Sequence, residues 1–338
     1  MINDYWIITL FIGEVISLAL LVYAVFLGLR IAFKWDAGSS STAQLGLERR
    51  SYLVSTLVMY VASFEMLSLW LFVIIINDHL PPLIRGAMCG TGSLNANEYG
   101  WIALILKIAE SIVLALWLVA HRLDGRFPEY PLTREKFVLL LLVAPLVLAT
   151  VVLQTLYFLN INPNIITTCC SITFSSINVG SHRGSLQLAI NEDLIVRVWY
   201  GMLVVGFVFD ALIVFSERWL RTVGPVVVPI TGIVICVVTV FAIVNHYAKY
   251  IYGMPSHRCP FDMLWSEYYY VGYLIYGLLM ISTISSISTA VMKLARKKKS
   301  IQAEATILCK TAAIWNAVSL GLLFLLLQGI ALRWKPMT

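Results

Sequence analysis

Four cysteines of this chain stand in polar stretches between long apolar runs. They are Cys89 in Met88-Cys89-Gly90-Thr91-Gly92, the neighbours Cys169 and Cys170, and Cys259 in His257-Arg258-Cys259-Pro260-Phe261. Thiolates, thioethers and imidazole are the donors that Cu(I) prefers, and the same stretches add Met88, Met254, His257 and Met263. Arg258 and His257 beside Cys259 favour its thiolate, the form that attacks disulfides and binds metals. Cys89, Cys169, Cys170, His257 and Cys259 are therefore a candidate metal set, with copper as the metal to expect, and Cys259 is also a candidate redox thiol. The same four cysteines could instead close two disulfides. Adjacent Cys169 and Cys170 are too near each other for an unstrained bridge, so that alternative ties the pair to Cys89 and Cys259. Haem is not expected: there is no C-x-x-C-H, and only His246 lies within an apolar run. Nor is there an H-E-x-x-H helix for zinc hydrolysis.

The elements that must hold these residues follow from composition. Of the 338 residues 60% are hydrophobic and 12% charged, with a mean hydropathy of +0.85. A soluble domain carries about 25% charged residues, so the chain is expected to be a polytopic membrane protein. Its apolar runs, about 20 residues each, can cross the hydrocarbon as helices. We read eight, near 5–31, 52–77, 100–120, 137–159, 194–216, 225–248, 268–292 and 306–332. The predicted fold is an all-α transmembrane bundle in one integral membrane domain, residues 1–338. Loops 78–99, 160–193 and 249–267 would form a small Cys/His cap. The first run exceeds the core of a signal peptide and has no positive charge ahead of it, so cleavage is not expected.

The net charge of +6 is topological in origin. Most Lys and Arg collect in the loops after the first, third, fifth and seventh runs, among them Arg49, Arg50, Arg122, Arg126, Arg218, Lys293 and Lys297 to Lys299. The positive-inside rule then places both termini, and the cysteine-bearing loops, outside the cytoplasm. The expected partner of this surface is the lipid bilayer rather than nucleic acid. No phosphate-binding or dinucleotide glycine pattern is present, so neither ATP hydrolysis nor nicotinamide binding is expected.

Glu14, Glu65, Lys107, Glu110, Asp210 and Lys310 fall inside apolar runs, where an ionisable group needs a partner or water. Lys107 and Glu110 are three apart on one helix and can neutralise each other. Asp210 and Lys310 could pair across helices. Glu65, near the middle of its run, is a candidate proton carrier.

The loop His257-Arg-Cys-Pro-Phe-Asp-Met-Leu, followed by Glu267-Tyr-Tyr-Tyr-Val-Gly-Tyr, with Cys169-Cys170 and Met88-Cys89-Gly-Thr-Gly before it, resembles an uncharacterised family of polytopic bacterial membrane proteins. In that family the loop reads His-Cys-Pro-Phe-Cys before Glu-Tyr-x-Tyr-Val-Gly-Tyr. Here Asp262 stands where the second cysteine is expected, a residue that could still serve as ligand or proton acceptor. The resemblance implies a multi-pass protein of the bacterial cytoplasmic membrane and carries no activity with it. The expected function is copper handling or thiol redox at the extracytoplasmic Cys/His site, linked to respiratory or cofactor-assembly machinery through a membrane or periplasmic redox partner. Two other readings use the same residues differently: a non-catalytic subunit of an electron-transfer complex with structural disulfides, and a proton-coupled transporter.

Overall fold

A computed structural model of the chain describes residues 4–35, 41–127, 130–162, 164, 166–167, 192–254, 257–296, 298 and 301–333. Among them are eight helices long and apolar enough to cross a membrane: α1 (Tyr5–Lys34), α2 (Thr42–His79), α3 (Tyr99–Asp124), α4 (Thr133–Leu159), α5 (Glu192–Phe215), α6 (Gly224–Tyr252), α7 (Val271–Ala295) and α8 (Gln302–Arg333). Each corresponds to one apolar run, and the all-α bundle expected from hydropathy is what the chain forms. Several helices outrun their apolar cores. α2 starts at Thr42, with the Ser41 hydroxyl accepting the Gln44 N–H at 3.2 Å, because Gln-Leu-Gly-Leu-Glu-Arg-Arg is a good helix former although it is too polar for hydrocarbon. α4 runs on through Pro145.

Contacts divide the chain into two compact units. The first comprises α1, α2 as far as Ile75, α3 and α4, with the segment Leu294–Ala305. There α1 packs on α2 and α4, and α3 packs on α4 and α2. Its apolar centre is built from Leu21, Val58, Leu114, Trp117, Phe137 and Val143. Lys136 bonds Asp124 at 2.7 Å, and Lys298 bonds Glu135 at 2.6 Å.

The second unit holds α5, α6, most of α7 and α8, the segment Ile76–Ala96, and residues 164, 166 and 167. Its core is centred on Trp199, Leu203, Ile235, Tyr247, Ile275 and Leu323. Lipid tails are as apolar as leucine, so helix association here depends on close approach and polar links rather than on water exclusion. The Trp199 indole donates to the Thr239 hydroxyl at 3.0 Å. Ser282 of α7 donates to Asn316 of α8 at 2.7 Å, and Asn316 donates to Asp210 of α5 at 2.8 Å. Lys310, expected opposite Asp210, instead reaches Glu217 at 3.7 Å; the Asn316 amide takes the basic partner's place beside Asp210. His246 bonds Glu192 at 2.8 Å.

The outer faces of the helices present Phe11, Ile16, Phe26, Leu142, Val204, Ile230 and Leu325, a surface suited to lipid and costly in water. Two helices widen at the same kind of place. α2 ends in a π-helical turn at Ile75–His79, and α6 contains another at Ile243–Tyr247, each just before a cysteine-bearing loop.

α6 and α7 approach each other closely. A Cβ on Gly232 would stand 2.0 Å from Ser286 Oγ and 2.5 Å from its Cβ, so even a methyl group forces the helices apart. Gly232→Ala is expected to cost about 1–3 kcal/mol by overpacking, lowering the thermal midpoint of the detergent-solubilised protein. Gly201, with nothing within 4 Å of its Cβ position, supplies the control: Gly201→Ala should melt like the parent. Equal melting of both variants would contradict the packing.

Candidate metal centre

The loop after α6 is a turn held by hydroxyl groups. Gly253, in the left-handed region at φ 66°, ends the helix, a conformation that glycine adopts without penalty. The chain then returns through Cys259-Pro260-Phe261-Asp262 into a 3-10 turn at Asp262–Leu264. The Tyr252 hydroxyl donates to the Cys259 carbonyl at 2.5 Å and accepts the Met263 N–H at 3.0 Å. From α7, the Tyr276 hydroxyl donates to the Pro260 carbonyl at 2.6 Å. These bonds tie the backbone on both sides of the proline, and the Phe261 N–H is left pointing at Cys259 Sγ, 3.4 Å away.

Cys89 arrives from the π-helical end of α2. Asn77 accepts the Gly90 N–H on its Oδ1 at 3.1 Å and donates to Asp78 at 3.1 Å; Asp78 in turn accepts the Trp265 indole N–H at 2.9 Å. This chain of bonds stitches the first cysteine loop to the third. The two loops touch so closely that a Cβ on Gly90 would lie 2.8 Å from the Phe261 ring. The second loop joins them where its Thr167 N–H donates to the Arg85 carbonyl at 3.2 Å.

The result is a buried cluster. Cys89 Sγ and Cys259 Sγ face each other as thiols 3.2 Å apart, and Cys259 Sγ lies 3.2 Å from Asp262 Oδ1. One donor atom each from Cys89, Cys259 and Asp262 falls within 4.8 Å of the others. Their exposures are 2%, 0% and 5%. Thr91 adds a hydroxyl 3.7 Å from Cys259 Sγ. His257 Nε2 meets the other Asp262 oxygen at 2.5 Å and stacks edge-on against the Tyr252 ring. The hydrogen bond to Asp262 pushes the His257 imidazole up in pKa. Burial pushes the Asp262 carboxyl up as well, against the pull of His257.

No protein-family model, curated protein or solved structure matches the chain. The reading of the site therefore rests on its geometry.

Of the residues singled out in the sequence, Cys89, Cys259 and His257 come together, and Asp262, three residues after Cys259, joins them. Cys169 and Cys170 lie outside the described residues. Glu65 belongs to the first unit. The expected thioether donors do not collect here: Met88 is 74% exposed, and Met263 packs into the helix core. Asn77, Asp78, Thr91, Tyr252 and Tyr276 had no part in the expected site. The Tyr252 hydroxyl fastens the cysteine turn.

Chemically, the cluster offers two sulfurs, a carboxylate and an imidazole just behind it. A sulfur separation of 3.2 Å is shorter than the roughly 3.8 Å that follows from tetrahedral metal–sulfur bonds of about 2.3 Å. It is longer than the bonded distance of about 2.05 Å. Small outward movements would admit an ion, and small inward ones would close a disulfide. A membrane-permeant oxidant applied to the purified full chain is therefore expected to yield a cross-linked peptide pair containing Cys89 and Cys259, absent in Cys89→Ser. A polar maleimide should label these thiols only after denaturation. Failure to recover the linked pair by non-reducing mass spectrometry would refute the juxtaposition.

Proposed function

We propose that the protein is a multi-pass protein of the bacterial cytoplasmic membrane that binds a thiophilic d10 ion, Cu(I) or Zn²⁺, on its extracytoplasmic side. Cys89, Cys259 and Asp262 are the ligands, and His257 orients the carboxylate. The observation that carries this reading is the convergence of two thiols and a carboxylate, all buried, within 4.8 Å. Cys259 and Asp262 supply ligands three residues apart in one turn, a common spacing in metal sites, and the Phe261 N–H directed at the sulfur favours thiolate over thiol. The His257–Asp262 bond is the kind of supporting contact that fixes a ligand's orientation. Three protein ligands leave a coordination position for a transferred group or an incoming partner. Burial of both sulfurs also favours an ion over direct attack on a partner protein's disulfide.

The outward placement of the site rests on eight spans and on the basic residues of the alternate loops. The proposed partners are the lipid bilayer and a membrane or periplasmic redox or metal-carrier protein.

The sulfur separation favours a second reading. In thiol redox, the Cys259 thiolate would attack a partner's disulfide, forming a mixed disulfide and releasing one partner thiolate. Cys89 would then attack Cys259 Sγ, expelling the second partner thiolate and closing the internal disulfide, so that two electrons pass to the partner. Asp262 would accept the Cys259 proton.

Metal analysis of protein purified without reductant, then loaded with Cu(I) or Zn²⁺ and desalted, tests the primary reading. About one ion per chain is expected, falling to background in Cys259→Ser. His257→Ala should bind the same ion about 10–100-fold more weakly. If the parent retains no more metal than Cys259→Ser, the ion-binding reading is wrong, and a reductant-sensitive disulfide in that parent protein would favour the second.

A further inference from the structure

Besides the Lys136–Asp124 pair, the first unit buries a cluster of charged side chains that the thiol site does not use. Glu14 of α1, Glu65 of α2, and Lys107 and Glu110 of α3 are each at most 1% exposed. Lys107 Nζ donates to Glu14 Oε1 at 2.5 Å and to Glu65 Oε2 at 3.4 Å. Glu65 also receives the Ser17 hydroxyl from α1, and shares the Ser68 hydroxyl at 3.2 Å. The second oxygen of Glu14 and both oxygens of Glu110 are buried without a hydrogen bond. Glu110 is nevertheless within electrostatic reach of Glu65, Lys107 and Glu14. From α4 it meets the Thr150 hydroxyl, whose own proton is committed to the Leu146 carbonyl at 2.9 Å.

Charge counting then distinguishes the three acids. One ammonium faces three carboxyls, and full ionisation would leave two uncompensated negative charges in hydrocarbon, each costing several kcal/mol. Donors gather on Glu65, which marks it as the anion that the site is built to hold. They are absent from Glu110. As a neutral acid, Glu110 has an O–H of its own, and the Thr150 oxygen has lone pairs to accept it. A metal cation is not what the cluster suits, because the Lys107 ammonium already occupies the position between Glu14 and Glu65.

We propose that Glu110 is a proton-binding site within the membrane, with Lys107 as its counter-charge and Glu14 and Glu65 as the like charges that favour its neutral form. Its ligand is the proton. The α4 face that carries Thr150 continues one turn later with Gln154, whose Oε1 is buried without a hydrogen bond; this is the next polar group along which a proton can leave. Glu65, the proton carrier expected from its position in the sequence, serves here as the anchored anion.

Infrared difference spectroscopy on the full chain in sodium-free lipid nanodiscs tests the proposal. At neutral pH the parent protein should show the carbonyl stretch of a protonated carboxylic acid that shifts in heavy water. Glutamate-specific ¹³C labelling should move it, which separates it from Asp210. Glu110→Gln should lose about one such acid per chain, whereas Glu14→Gln and Cys259→Ser should keep it. A parent protein with no protonated glutamate overturns the proposal even if the variants do not fold. So does a band that survives Glu110→Gln, one that vanishes in Glu14→Gln, or one that sodium rather than hydroxide removes.

Discussion

A polar group without a partner in hydrocarbon costs several kcal/mol, and this constraint orders the whole chain. The backbone meets it by remaining helical across every apolar run. Side chains meet it by finding one another across helices. Asp210 is reached by Asn316, which is reached in turn by Ser282, so a carboxyl, an amide and a hydroxyl from three helices satisfy what none could satisfy alone. The Glu14–Lys107–Glu65 arrangement is the same solution at higher charge. In both places the polar links add direction to helix packing that apolar contact with lipid-like side chains would leave loose.

At the membrane boundary the constraint relaxes, and irregular backbone becomes affordable if something ties it down. Tyr252 and Tyr276 do this for the Cys259 turn, taking up the carbonyls on either side of the peptide that Pro260 deprives of an N–H. Asn77 and Asp78 do it for the Cys89 loop. The sulfurs are thus positioned by helix ends, through side chains anchored in the second unit's core, and the loops inherit the rigidity of the helices beneath them. That support lets two thiols and a carboxylate be buried together, linked by hydrogen bonds and not by a disulfide.

Much of this was legible in the sequence, and the rest was not for identifiable reasons. Apolar runs locate eight helices because hydrocarbon demands length and composition, but they understate α2, whose first turns are helical and polar. Cys89, Cys259 and His257 stand out as soft donors in otherwise unremarkable loops, and Asp262 stands out by its spacing from Cys259. The partner of Lys107 was misplaced because spacing along one helix suggests Glu110, whereas the tertiary fold delivers Glu14 from 93 residues away. Tyr252 did not stand out among the tyrosines near it, since composition does not say where a hydroxyl points. Asn77 carries no signature beyond being a polar residue at the end of an apolar run.

The π-helical turn at Ile75–His79 gives this region an unusual relation to insertions and deletions. Such a turn holds one residue more than an α-helical turn needs. Loss of a single residue there would restore regular helix without turning the chain beyond it, because the wide turn absorbs the extra residue locally, but it would remove the irregular backbone from which Asn77 reaches Gly90. Evolution can shorten most membrane-boundary loops by a residue at little cost. Here the extra residue is itself part of the site's support, so the wide turn should be inherited together with the cysteine loop it holds.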